Sequence, residues 1–267
     1  MQMAIGLQDT LFDLAGRSAI VTGSSRGIGE AIAFRLAQHG ANVVINGRKI
    51  EPAEDMALRI NARQNDGFGK AVAVAGNITK PDDLTALVKQ AEAAFGQIDI
   101  LVANAALHIH VGPSQDMSDA VLAKTLDANF FALHRLSQAL LPGMVARGFG
   151  RIVNISSVAA LFGSGNYHSY TLSKTMALQY IRNIAVEHGA ANIRANSVAP
   201  GLTRTDMAKS IIDNPALLAR ELSRSTVGRY GEPEEIAGAV LFLVSAAGGY
   251  VNGQTIAVDG GISIRYE

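Results

Sequence analysis

Short apolar runs recur along the chain at 19–21, 43–45, 71–75, 100–102, 152–155, 193–198 and 255–258. Most are apolar at consecutive rather than alternate positions, the pattern of strands buried on both faces. Between them lie longer stretches with apolar residues every three or four positions, among them 82–95, 119–144, 170–188 and 233–244. That period is helical. A further helix, with Ile28, Ile32 and Leu36 on one face, meets its stop signal at Gly40. Strands alternating with helices predict right-handed βαβ crossovers and an α/β fold: a doubly wound, seven-stranded parallel sheet flanked by helices. The stretch 203–230 breaks the alternation. Mixed in polarity and carrying Pro215, it reads as a mobile lid over a substrate. No second domain is indicated, so 1–267 is read as one unit.

Composition narrows the function classes. The 48% hydrophobic content supplies a large core, and Lys+Arg balance Asp+Glu at 23 each. A neutral chain gives no reason to expect a nucleic acid or a membrane surface as partner. Without cysteine there are neither disulfides nor thiolate metal sites, and no His/Asp/Glu cluster has ligand spacing, so no metal is expected. Met1 to Gly16 lacks a basic region followed by an apolar core, and no apolar run is long enough to span a bilayer. A cytoplasmic protein acting on a small molecule is expected.

Two motifs carry chemistry. The first strand runs into Thr22-Gly23-Ser24-Ser25-Arg26-Gly27-Ile28-Gly29, which opens a helix. Glycines let backbone approach a pyrophosphate, and a helix N-terminus offers free N–H groups and positive dipole. The second is Tyr170-Thr171-Leu172-Ser173-Lys174, with Ser157 thirteen residues before the tyrosine. Positions i and i+4 are neighbours on a helix, so a phenol and an ammonium sit side by side, and a fixed cation favours the phenolate. Ser157 is placed to hold a substrate oxygen while Tyr170 gives or takes its proton. Tyr167 lacks a cation four residues on and is assigned to the substrate pocket instead. After the second strand the chain reads Asn46-Gly47-Arg48. No acid is present there to accept from a ribose 2′-hydroxyl, while Arg48 and Arg26 suit a 2′-phosphate, so NADP is predicted in preference to NAD, with NAD as the second cofactor. The motifs all follow predicted strands, at the edge where ligands bind in such sheets.

In these features the chain resembles the short-chain dehydrogenase/reductase family. The matching residues are the Thr22–Gly29 turn, Asn104-Ala105-Ala106, Asn129, Ser157, Tyr170, Lys174, Pro200-Gly201 and the closing Val258-Asp259-Gly260-Gly261. Leu11 to Gly16 and Gly76-Asn77-Ile78-Thr79 are most similar to gluconate 5-dehydrogenase-like members. The resemblance implies a single-domain Rossmann fold and reversible hydride transfer between a nicotinamide and a small alcohol or ketone such as a polyol or sugar acid. It implies Tyr170 as general acid and base, Lys174 lowering its pKa and holding the ribose hydroxyls, and Asn129 holding a water that relays protons toward Lys174. The cofactor should lie along Gly23, Ser25, Arg26, Gly27, Ile28, Gly29, Arg48, Asn77, Ile78, Asn104, Ala105, Ala106, Tyr170, Lys174, Pro200, Gly201, Thr203 and Thr205. The amide oxygen of Asn77 would accept from the adenine. Ala106 stands where the family usually has glycine. Ser157, Tyr167 and His108 would meet the substrate, with His110 and His168 also on the rim. The resemblance further implies a homotetramer. A 3-oxoacyl thioester reductase with an acyl carrier protein as partner is the alternative, disfavoured because Gly148 and Ala191, where docking would need basic groups, are not basic. A regulator that binds NADP without turnover is a third reading, which the full set Asn129, Ser157, Tyr170 and Lys174 argues against.

Overall fold

The computed structural model describes residues 10–265; the first nine residues of the Met1–Gly16 segment lie outside them. The seven apolar runs are seven strands: β1 (Ser18–Val21), β2 (Asn42–Gly47), β3 (Ala71–Ala75), β4 (Ile100–Ala103), β5 (Gly150–Ile155), β6 (Ile193–Pro200) and β7 (Thr255–Val258). All pairings are parallel, in the order β3-β2-β1-β4-β5-β6-β7. The nine α-helices among the described residues are α1 (Gly27–Gln38), α2 (Ile50–Asn61), α3 (Pro81–Phe95), α4 (Asp119–Leu126), α5 (Ala132–Arg147), α6 (His168–His188), α7 (Lys209–Ile212), α8 (Pro215–Arg224) and α9 (Pro233–Val244).

Burial on both faces explains why the strands do not alternate in polarity. Ala19 and Val21 of β1 enter one core while Ile20 enters the other, and Ile100 and Val102 of β4 are likewise separated from Leu101. The first core is closed by Ile32 and Leu36 of α1, Met56 and Ile60 of α2, and Ile236 and Val240 of α9. The second is closed by Leu84 and Leu87 of α3, Leu133 and Leu136 of α5, and Ile181 and Ile184 of α6. Each pair repeats at three or four residues, which aligns it on one helix face. Burying one such side chain contributes about 1.5–3 kcal/mol.

One segment departs from the sequence expectation. The helix expected over 119–144 is interrupted by a π turn, Asp127–Phe131, between α4 and α5. Such a turn widens the helix by one residue and is common at functional sites. The segment 203–230, where the strand–helix alternation breaks, adds two helices, α7 and α8, with no strand between them. Asn214 caps α8, accepting from the backbone N–H groups of Ala216 and Leu217, and Pro215 takes the first helical position.

Candidate active site

Strand order reverses between β1 and β4, and there the carboxyl edge of the sheet opens into a crevice of about 1630 Å³. Its cofactor half begins at the turn between β1 and α1. Thr22 is buried, and its hydroxyl accepts from the backbone N–H groups of Asn104 (3.0 Å) and Ala105 (3.1 Å). In return the Asn104 amide donates to the carbonyls of Thr22 (2.9 Å) and Gly23 (3.2 Å). Asn104 therefore lines the crevice while its side-chain N–H groups clasp the two turns together. Gly29 must be glycine, since a Cβ would lie 2.3 Å from the Gly23 oxygen. Arg26, at the N-cap of α1, gives the helix no side-chain cap, so its first N–H groups remain available to an anion.

The end of β2 borders this turn. Asn46 is buried, donating to Val74 O (3.1 Å) and lying against the Gly23 N–H. Asn46 and Gly47 both line the crevice, and a Cβ at Gly47 would stand 3.0 Å from the Ser25 hydroxyl. The space left beside Ser25 and Arg48, together with the uncapped α1, fits a dinucleotide. Arg26 reaches across to Asp206 at 2.9 Å, an exposed ion pair. Asn77 lines the crevice, but its amide oxygen already accepts from the Thr79 N–H (3.1 Å) and hydroxyl (3.0 Å). Contrary to expectation, that oxygen is committed to a local turn and is not free for an adenine. Ile28, Ile78, Ala105, Ala106, Pro200, Gly201, Thr203 and Thr205 line the same crevice.

The reacting half lies at the ends of β5 and the start of α6. Ser157 follows β5, its hydroxyl accepting from the Ala159 N–H (3.1 Å) and bonded to Tyr170. Burial pushes the Tyr170 phenol above its usual pKa, and the Ser157 bond opposes this. Lys174 is buried, its pKa lowered to about 8 by burial, and it donates to the carbonyl of Ile155 at 2.6 Å. Its Nζ stands 5.8 Å from the Tyr170 ring centroid. The expected lowering of the phenol by the ammonium is not among the influences on Tyr170: burial decides the direction, opposed only by Ser157.

Asn129 sits in the π turn, buried. Its amide oxygen accepts from the Leu107 N–H (2.7 Å), and its nitrogen donates to Leu107 O (2.9 Å) and the Ser173 hydroxyl (2.9 Å). Both amide N–H groups are spent, so the side chain ties the loop after β4 to α6, and no donor is left for the water expected there. Of the four residues expected on the substrate rim, His108 and Tyr167 line the crevice. His110 does not, and His168 instead bonds Gly165 O at 3.1 Å away from it. The segment 203–230 contributes Met207, Ile212, Arg220 and Arg224 to the lining, residues that sequence reasoning did not single out. The Asn214-Pro215 helix start, followed by Leu217, Leu218 and Leu222, was the signal available. Among the described residues no group of three or more His, Asp or Glu converges as a metal site.

A glycine-turn cradle at the β1/β4 switch point, facing a hydroxyl pair and a buried lysine, defines a nicotinamide-dependent oxidoreductase of Rossmann type. The family model described as enoyl-(acyl carrier protein) reductase matches residues 23–263. Dehydrogenase/reductase SDR family member 4 of Oryctolagus cuniculus is 38% identical over 94% of this chain and 95% of its own length. A gluconate 5-dehydrogenase from Burkholderia cenocepacia, solved with NADP and tartrate, superposes with a TM-score of 0.89 at 33% identity, over 96% of this chain and 98% of that one. A 7α-hydroxysteroid dehydrogenase solved with NADH and a 7-oxo bile acid gives 0.90 at 36%, over 96% and 97%. The chain belongs to the short-chain dehydrogenase/reductase family. It is an NAD(P)-dependent oxidoreductase transferring hydride between a nicotinamide and an alcohol or ketone.

Proposed function

We propose that Tyr170 is the proton donor for ketone reduction and the acceptor for alcohol oxidation, with NADP as the preferred cofactor and a small hydroxy compound, such as a polyol or sugar acid, as substrate. The observation that carries this reading is the Ser157–Tyr170 hydroxyl pair set over a buried lysine in the same crevice as the glycine turn. The Tyr170 hydroxyl passes its proton to the substrate oxygen, and Ser157 fixes that oxygen by a second hydrogen bond. Lys174, which donates to the Ile155 carbonyl, would hold the ribose hydroxyls of a bound cofactor and, as the ammonium, would draw the phenol toward phenolate. The nicotinamide, when bound, supplies or takes the hydride.

Three features of the cradle support NADP. Gly47 leaves no carboxylate to repel a 2′-phosphate, Arg48 lines the crevice, and Arg26 is held only by an exposed partner. Exposed ion pairs contribute about 0–1 kcal/mol, so a phosphate, which takes arginine in bidentate fashion, displaces Asp206 readily. The relative solved with NADP and tartrate supports a polar, hydroxyl-bearing substrate. A cytoplasmic homotetramer completes the proposal. Phe131, Leu172 and Met176 are exposed on the π turn and α6, in keeping with a face that a second copy covers, and light scattering should give four times the chain mass. No helix among the described residues is long and apolar enough to cross a membrane.

Initial rates over a panel of polyols, sugar acids, diketones and an acetoacetyl thioester, each with NADPH or NADH, test the reading. A hydroxylated ketone reduced with NADPH well ahead of NADH is expected. Preference for the thioester, or for NADH, would overturn the substrate or the cofactor assignment respectively.

A further inference from the structure

The substrate side of the crevice mixes apolar groups, among them Leu107, Val158, Phe162 and Met207, with polar ones, among them Arg220 and Arg224. One imidazole packs against Tyr170 itself. His108 lines the crevice with its ring edge-on to Tyr167 at 4.9 Å and tilted over Tyr170 at 5.0 Å between centroids. Its ring hydrogen-bonds the backbone of His110, and Nε2 is buried with no partner. A buried polar atom without a partner is rare and costly, and in a ligand crevice the missing bond is one that a ligand can supply. His110 also has an unpaired buried nitrogen, Nδ1, but does not line the crevice. Burial holds the His108 pKa below the ordinary histidine value, so at neutral pH the ring is uncharged. With one nitrogen donating to the His110 backbone, Nε2 is left as an acceptor.

We propose that His108 is a specificity-determining residue whose Nε2 accepts a hydroxyl on the carbon next to the one that reacts. The preferred substrates are then α-hydroxy ketones in reduction and vicinal diols in oxidation. This rests on the reading of Tyr170 as the proton-transfer group. The short distance between the two rings sets the position: a substrate group touching both belongs to the reacting carbon or its immediate neighbour. The acceptor character of Nε2 sets the chemistry, a hydroxyl rather than a carbonyl or carboxylate. A ketone lacking that hydroxyl leaves the nitrogen unpaired, and sites built to bond a hydroxyl discriminate strongly against analogues without it. Oxidation of a vicinal diol balances simply: hydride leaves the carbinol carbon for the nicotinamide, the proton leaves its oxygen for Tyr170, and the neighbouring hydroxyl is unchanged.

The test is a matched pair. With NADPH saturating, kcat/KM is measured for the plain ketone that the enzyme reduces best and for the same ketone carrying an α-hydroxyl. Wild type is expected to favour the hydroxy ketone by about ten-fold, the scale of one hydrogen bond at its upper end. His108→Phe keeps the ring packing against both tyrosines and is expected to bring the ratio to within about two-fold of unity. His108→Gln, which returns a polar atom near the position of Nε2, should recover part of the preference. A wild type without the preference, or a phenylalanine variant that retains it, overturns the proposal while leaving Tyr170 untouched. Failure of wild type to reduce any ketone overturns the Tyr170 reading and this inference with it.

Discussion

At the scale of single residues, two opposing influences set the protonation of Tyr170. Burial raises its pKa and the Ser157 hydrogen bond lowers it, with burial the larger. The phenol therefore keeps its proton through neutral pH, the state that a donor for reduction needs. Oxidation needs the phenolate, so kcat/KM for the alcohol should climb as pH rises into the alkaline range while that for the ketone falls. Matched pH profiles in the two directions check the sign, and parallel profiles would contradict it. Gly47 yields a second expectation. Aspartate there places a carboxylate beside Ser25 and Arg48, which accepts from a ribose 2′-hydroxyl and repels a phosphate. Gly47→Asp should lower the NADPH-to-NADH ratio of kcat/KM by about ten-fold or more, roughly 1.4 kcal/mol. Helical period put Tyr170 and Lys174 side by side in the sequence, while Ser157 was singled out by the spacing of the family that the chain resembles. Spacing left the hold on Asn46 unread, since its amide donates to Val74 O on the neighbouring strand. Nor did it separate His108 from His110 and His168, because that depends on how two loops meet.

Among the elements, the π turn at Asp127–Phe131 matters most to the site. A regular helix over 119–144 was the natural reading of the periodicity, and only the extra residue of the wider turn shows why Asn129 can bond Leu107 twice and Ser173 once. Replacing it by an isosteric apolar residue, Asn129→Leu, strands the Leu107 N–H and carbonyl. Each buried group left without a partner costs about 1–3 kcal/mol, so the melting temperature should drop by several degrees, measurable by circular dichroism. Because the same bonds position the loop bearing His108, turnover should fall as well. An unchanged melting temperature would show that the clamp is not structural. The segment 203–230 lines the crevice through α7 and α8, and α8 announced itself in the sequence by Asn214 and Pro215.

For the molecule as a whole, the crevice exists because two apolar cores hold the sheet from both sides and leave its carboxyl edge open at the β1/β4 switch. That architecture was readable from the run pattern, since strands buried on both faces cannot alternate. It also buries Lys174, at a cost to stability. Its folded pKa of about 8 lies below the 10.5 of a free lysine, so the penalty is complete below about pH 8 and fades as pH rises toward 10.5. Lys174→Met should therefore gain stability over wild type near pH 7 and lose about 2 kcal/mol of that advantage by pH 10. Denaturant unfolding at the two pH values measures it, and a pH-independent difference would contradict the assignment. The claim on which everything else depends is that Tyr170 moves the proton, and the most direct measurement is the turnover of Tyr170→Phe in NADPH-dependent ketone reduction with the cofactor shown by fluorescence to remain bound. A loss of at least about a hundred-fold is predicted, and turnover near that of wild type would contradict it.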